Sequence, residues 1–66
     1  MSEAKEWLSV KRSPKGAAVV TCSLVEDNLS ARWSVATTTA TLRHGVADAR
    51  KGAQLALSEL RKAAEQ

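Results

Sequence analysis

Few residues in this chain belong to the types that carry covalent or acid–base chemistry. Cys22 is the single cysteine and His44 the single histidine among 66 residues. No internal disulfide can form from one thiol, and one imidazole with one thiol argues against a self-contained structural metal site. Cys22 stands in the apolar run Val19-Val20-Thr21-Cys22-Ser23-Leu24-Val25, a setting in which a thiol packs as a small hydrophobe rather than attacks a substrate. His44 precedes Gly45 with no second ligand near it in sequence, and reads as a surface histidine. The threonines from Thr37 to Thr41 gather hydroxyls that could hold a phosphate, but the glycine-rich loop and lysine of a phosphate cradle are missing beside them. Glu26-Asp27 reads as a solvated turn. Catalysis needs a positioned nucleophile, base or metal in a concave pocket, and no acid–base pair or triad assembles from these residues. The expectation is a chain that is not an enzyme, with no cofactor, metal or small-molecule substrate.

Charge points elsewhere. Lysine and arginine number 10 and the acids 7, a net of +3. The densest basic group is Lys11, Arg12 and Lys15, around Pro14. A protein that reads nucleic acid gathers cations on one face, because each neutralised phosphate releases counterions. The excess here is mild and spread along the chain, so the question becomes which cations the fold brings to the same surface.

The length bounds that fold. A chain of 66 residues makes one small domain, spanning 1–66, and twelve of its apolar residues are alanine. A core this thin is marginal alone, and domains of such size often gain a second subunit. No apolar stretch approaches the roughly 20 residues that cross a bilayer, and the N-terminus lacks a basic-then-apolar leader. A soluble, cytoplasmic domain without membrane contact is expected.

Residues 1–5 read as a flexible tail and residues 6–42 as a three-stranded sheet. Trp7-Leu8-Ser9-Val10-Lys11-Arg12 alternates roughly and is compatible with a strand. Ser13-Pro14-Lys15-Gly16 has the layout of a type I turn, with proline presetting the second position and glycine at the fourth. The β-branched run Ala17 to Val25 follows. Asp27-Asn28 suits a two-residue hairpin loop, since both residues tolerate positive φ. Leu29-Ser30-Ala31-Arg32-Trp33-Ser34-Val35 then alternates cleanly, and Thr37-Thr38-Thr39 suits a strand end.

The last third changes period. Val46, Ala49, Ala53, Ala56, Leu57, Leu60 and Ala64 recur along one helical stripe. Thr39 or Thr41 could cap a helix starting near residue 40, but Gly45 argues for a break, so the helix is placed at 46–64. Asp48 then falls in its first turn, and Arg61 and Lys62 near its end, matching the dipole. Gly52 costs about 1 kcal/mol relative to alanine inside a helix, and with its alanine neighbours suits a close approach to the sheet. The fold class is therefore α+β: a three-stranded antiparallel β-meander followed by one C-terminal α-helix packed on one face (βββα).

Alternation divides the sheet. One face collects Leu8, Val10, Val20, Cys22, Leu24, Trp33 and Val35, a core against Val46, Leu57 and Leu60. The other collects Trp7, Ser9, Lys11, Val19, Thr21, Ser23, Val25, Arg32 and Ser34. This second face mixes an indole and valines with hydroxyls and cations, and holds no acid until the strand ends.

The segment Ser9-Val10-Lys11-Arg12-Ser13-Pro14-Lys15-Gly16 leading into a strand, then Arg32-Trp33-Ser34, then a helix with Ala49, Ala53 and Ala56, resembles in its layout the small three-stranded DNA-binding domains of tyrosine-integrase N-termini (the arm-binding domains) and AP2-type transcription factors. The likeness covers about residues 7 to 64 and lies in the order of elements. It implies a sheet that enters the major groove, with Lys11, Arg12 and Arg32 on DNA. The stretch Ala17 to Val25 departs from those families, whose middle strand presents basic or aromatic residues outward. The compact style also resembles small phage-type accessory proteins.

Two readings follow. In the first, the open sheet face binds DNA through Lys11, Arg12, Lys15 and Arg32, with Trp7, Thr21 and Ser23 completing the contact. In the second, the chain is a protein–protein interaction module, a homodimer acting as inhibitor or adaptor of a larger protein partner. Tryptophan and arginine would be its anchors.

Overall fold

The structure, a computed structural model, describes residues 4–65. Of the expected N-terminal tail, residues 1–3 lie outside the described residues, and Lys5 already belongs to the first strand. The elements follow as β1 (Lys5–Arg12), β2 (Ala17–Glu26), β3 (Leu29–Thr38) and α1 (Leu42–Ala64). The strands form one antiparallel sheet in the order β1-β2-β3, so the βββα architecture stands.

Both turns form as their residues dictate. Gly16 N–H donates to the Ser13 carbonyl at 3.1 Å, and Ser13 N–H donates to the Ala17 carbonyl at 2.8 Å. Gly16 takes φ +84°, the left-handed residue that completes a type I hairpin turn. The Lys15 N–H also donates to Ser13 Oγ at 3.2 Å. In the second hairpin Glu26 pairs with Leu29, and Asp27 and Asn28 take φ 52° and 68°. Two successive positive φ values give the turn whose twist matches that of its strands.

The helix begins four residues earlier than the expected Val46. Gly45 is buried inside it, and its missing side chain has a packing role. A Cβ at that position would stand 2.7 Å from Thr37 Cγ2, so glycine lets the first turn lie against β3. Thr41 occupies the N-cap position without a side-chain cap bond. Its hydroxyl is instead shared with Thr37 and Thr38, at 3.0 and 2.7 Å, which ties the strand end to the helix start. With this start, Asp48 falls outside the first turn, and that turn holds no acid. Arg61 and Lys62 lie in the last turn.

The core is small. Ala18, Val20, Cys22, Leu24 and Ala31 of the sheet meet Ala49, Ala53 and Leu57 of α1. The helix packs chiefly on β3 and then β2, and it reaches β1 through an ion pair between Arg50 and Glu6 at 3.3 Å. That offset corrects the expected core. Leu8 and Val10 face the helix side but remain 45% and 39% exposed, because α1 packs over β3 and β2 rather than β1. Trp33 and Leu60 are likewise exposed. Ten-residue strands and a 23-residue helix lie lengthwise together, and the molecule measures 45 × 19 × 14 Å. No helix among the described residues is long and apolar enough to cross a membrane.

Candidate nucleic-acid interface

Residues opposite one another in the register share a face, and the buried residues Ala18, Val20, Cys22 and Leu24 mark which face meets the helix. The remaining positions line up in rows across the outer face. Lys11 stands opposite Val19 and Ala36. Ser9 stands opposite Thr21 and Ser34, Trp7 opposite Ser23 and Arg32, and Lys5 opposite Val25 and Ser30. The structure therefore brings Trp7, Lys11, Thr21, Ser23 and Arg32 together on one surface.

Arg12 and Lys15 do not join it. Arg12 pairs with Ala18, whose side chain is buried under the helix, so the alternation puts the guanidinium on the helix side. Lys15 sits in the hairpin beyond the end of β1. Among the polar outer-face residues, Lys5 and Ser30 are missing from the expected face. Lys5 has the parity of Trp7, and Ser30 that of Arg32, which is the signal that locates both.

Charge divides unevenly between the two sides. The outer sheet face carries Lys5, Lys11 and Arg32 and, among the described residues, no acid. The strand acids both point the other way: Glu6 is opposite Leu24, and Glu26 continues the buried parity of β2. Each is held by a helix arginine, Glu6 by Arg50 and Glu26 by Arg61. The remaining described acids are Asp27 at the hairpin tip and Asp48, Glu59 and Glu65 at or beyond the helix.

Hydroxyls complete the outer surface. Thr21 Oγ1 and Ser34 Oγ lie 2.9 Å apart and share one hydrogen bond, which leaves one of the two O–H groups able to donate elsewhere. A depression opens beside them, lined by Trp7, Ser23, Val25, Ser30, Ala31 and Arg32. Trp7 is 53% exposed at its edge, a large indole face left to solvent.

The reactive groups are not brought together. The Cys22 thiol is fully buried. Burial pushes its pKa up, the Glu6 carboxylate adds to that rise, and Arg50 opposes it, so the nucleophilic thiolate is disfavoured. His44 lies exposed in the first turn of the helix. Among the described residues no three of His, Cys, Asp and Glu gather as a metal site would require. No protein-family model matches the chain, and no curated protein or solved structure matches it either.

Proposed function

We propose that this protein is a small cytoplasmic DNA-binding module that meets its ligand with the outer face of the sheet. The observation that carries this reading is the separation of charge. Lys5, Lys11 and Arg32 project from the outer face, whereas Glu6 and Glu26 are turned to the helix side and occupied by Arg50 and Arg61. A surface that is merely solvated mixes both signs. One that meets a polyanion gains from cations without neighbouring acids, because each phosphate it neutralises releases counterions. The hydroxyls of Ser9, Thr21, Ser23 and Ser34 suit phosphate and sugar oxygens. Lys15, in the turn beyond the end of β1, and Arg12, on the helix side, lie outside this contact.

The test is a titration of a fluorescently labelled DNA oligonucleotide followed by anisotropy. Lys11→Ala and Arg32→Ala should each weaken binding several-fold and reduce the salt slope by about one. Lys51→Ala, which removes an equal charge from the exposed side of the helix, should leave both unchanged. Equal losses from all three substitutions would point to non-specific attraction by net charge and would sink the reading.

A second reading rests on β1. Among the described residues its outer edge is unpaired, and Leu8 and Val10 stand exposed on its helix side. Antiparallel pairing of β1 with β1 of a second copy, centred on Ser9, would set Glu6 opposite the other copy's Arg12 and Leu8 opposite its Val10. Those pairs match in charge and in apolar character, so the occupant favoured for this edge is a second copy of the chain. Light scattering tests it. A dimer that Leu8→Lys converts to monomer supports the pairing, and a monomer at high protein concentration excludes it.

A further inference from the structure

The row formed by Trp7, Ser23 and Arg32 is unlike its neighbours. An aromatic plane stands on one outer strand and a guanidinium on the other, with one small residue between them on the middle strand. In the adjacent row, Ser9, Thr21 and Ser34 keep the surface low, and their central and flanking hydroxyls bond each other. On the other side, Val25 closes the row beside Ser30. Trp7, Ser23, Val25, Ser30 and Arg32 also line the depression on this face.

Its width selects the occupant. Strands lie about 4.8 Å apart, so the backbones carrying Trp7 and Arg32 are separated by roughly 9.6 Å across Ser23. A flat ring in van der Waals contact on both faces needs walls about 7 Å apart and two stacked rings need about 10.5 Å, so side chains leaning inward by about 2–3 Å from these backbones would grip one ring, and two would not enter. Side chains stand roughly perpendicular to a sheet, so both walls rise from the floor that Ser23 provides. Indole and guanidinium both stack on π-systems. Ser23 and Ser30 add hydroxyls to the lining of the depression.

From this geometry we infer that the slot between Trp7 and Arg32 takes one unpaired nucleobase of a DNA strand. The inference rests on the DNA-binding reading and narrows it to single-stranded or locally opened DNA. A base within a duplex is stacked on both faces and its pairing edge is occupied, so it cannot enter. The strand on either side of the base would run over Lys5 and Lys11, two and four positions from Trp7 on the same face of β1. Arg32 has two roles in this arrangement, as a stacking wall and as a phosphate neighbour.

The experiment compares a single-stranded oligonucleotide with a duplex of the same sequence, for the whole chain and for Trp7→Ala, Trp7→Phe and Lys11→Ala. The indole is exposed, so these substitutions leave the core intact, and circular dichroism confirms that each variant folds. The single strand should bind more tightly than the duplex. Trp7→Ala should weaken single-strand binding at least about fivefold, the contribution of one base–aromatic stack, without changing its salt slope, and Trp7→Phe should retain part of the affinity. Duplex binding should not respond to Trp7. If Trp7→Ala leaves single-strand binding intact while Lys11→Ala weakens it, the slot is refuted and the basic face stands. Equal loss on duplex and single strand also refutes an unpaired base. If neither form of DNA binds, both the slot and the DNA-binding reading fail.

Discussion

Gly52 of the helix lies against the Trp33 indole of β3 with no space for a side chain between them: a Cβ at Gly52 would overlap the five-membered part of the ring. The helix approaches the sheet this closely because its contact stripe is Gly45, Ala49, Gly52 and Ala53, with Leu57 the one large buried side chain. A core without bulky helix residues is thin, and its stability depends on that short distance.

Gly52→Ala is therefore expected to destabilise the fold by about 1–2 kcal/mol, since overpacking costs more than the helix propensity recovered. Urea denaturation measures it. Gly16→Ala is a useful contrast, because nothing lies within 4 Å of a Cβ there. Its cost comes from the backbone at φ +84° and should be about 1 kcal/mol. A stabilising Gly52→Ala would show that the helix sits farther from Trp33 than described.

Gly45→Ala should show a coupled effect. The new methyl group would press on Thr37 Cγ2, and Thr37 also hydrogen-bonds Thr41 at the start of the helix. Thr37→Ser removes the nearest obstructing atom and keeps the hydroxyl, while Thr37 Cβ would remain 2.9 Å from the new group, so the relief is partial. The double variant is expected to recover about 1 kcal/mol relative to the sum of the two single changes. Additive effects in a thermal-denaturation cycle would contradict the contact.

These two glycines also mark where the sequence was legible and where it was not. Both hairpin turns were readable, because Pro14, Gly16, Asp27 and Asn28 each favour a particular φ. The division of faces was readable too, since a period of two leaves little choice for residues from Trp7 to Val35. The helix start was not. A glycine near a helix end signals a break and a close approach equally, and only the position of Thr37 across the gap decides between them. The exposure of Leu8 and Val10 was hidden for a related reason. Their parity is correct for a core, but which strands a single helix covers is a tertiary choice. In the candidate site, Lys5 was lost because a polar N-terminus resembles a tail, although it shares its parity with Trp7.

Cys22 should be protected from thiol reagents in the folded state. Its side chain is fully buried and its pKa is raised, so labelling requires opening of the fold. Modification should be slowed about a hundredfold or more relative to the unfolded chain, as a stability of about 3–5 kcal/mol implies. The raised pKa also sets a sign. The stability gained from keeping the thiol neutral is complete below its unfolded pKa and is lost as pH rises through the higher folded value. Denaturation at neutral and alkaline pH should therefore show the difference between the native chain and Cys22→Ala shrinking as pH rises. Rapid labelling of the native protein would contradict the buried position.

The most direct measurement of the charge-separated face uses the two tryptophans, one on each side of the sheet. Trp7 lies on the outer face, and Trp33 on the helix side against Gly52, so their indole N–H resonances report the two surfaces separately in one NMR titration with a DNA oligonucleotide. The Trp7 resonance should move progressively as DNA is added, and the shift should reverse with salt, while the Trp33 resonance holds its position. Movement of Trp33 with Trp7 unaffected would place any DNA contact on the helix side and contradict the proposed interface.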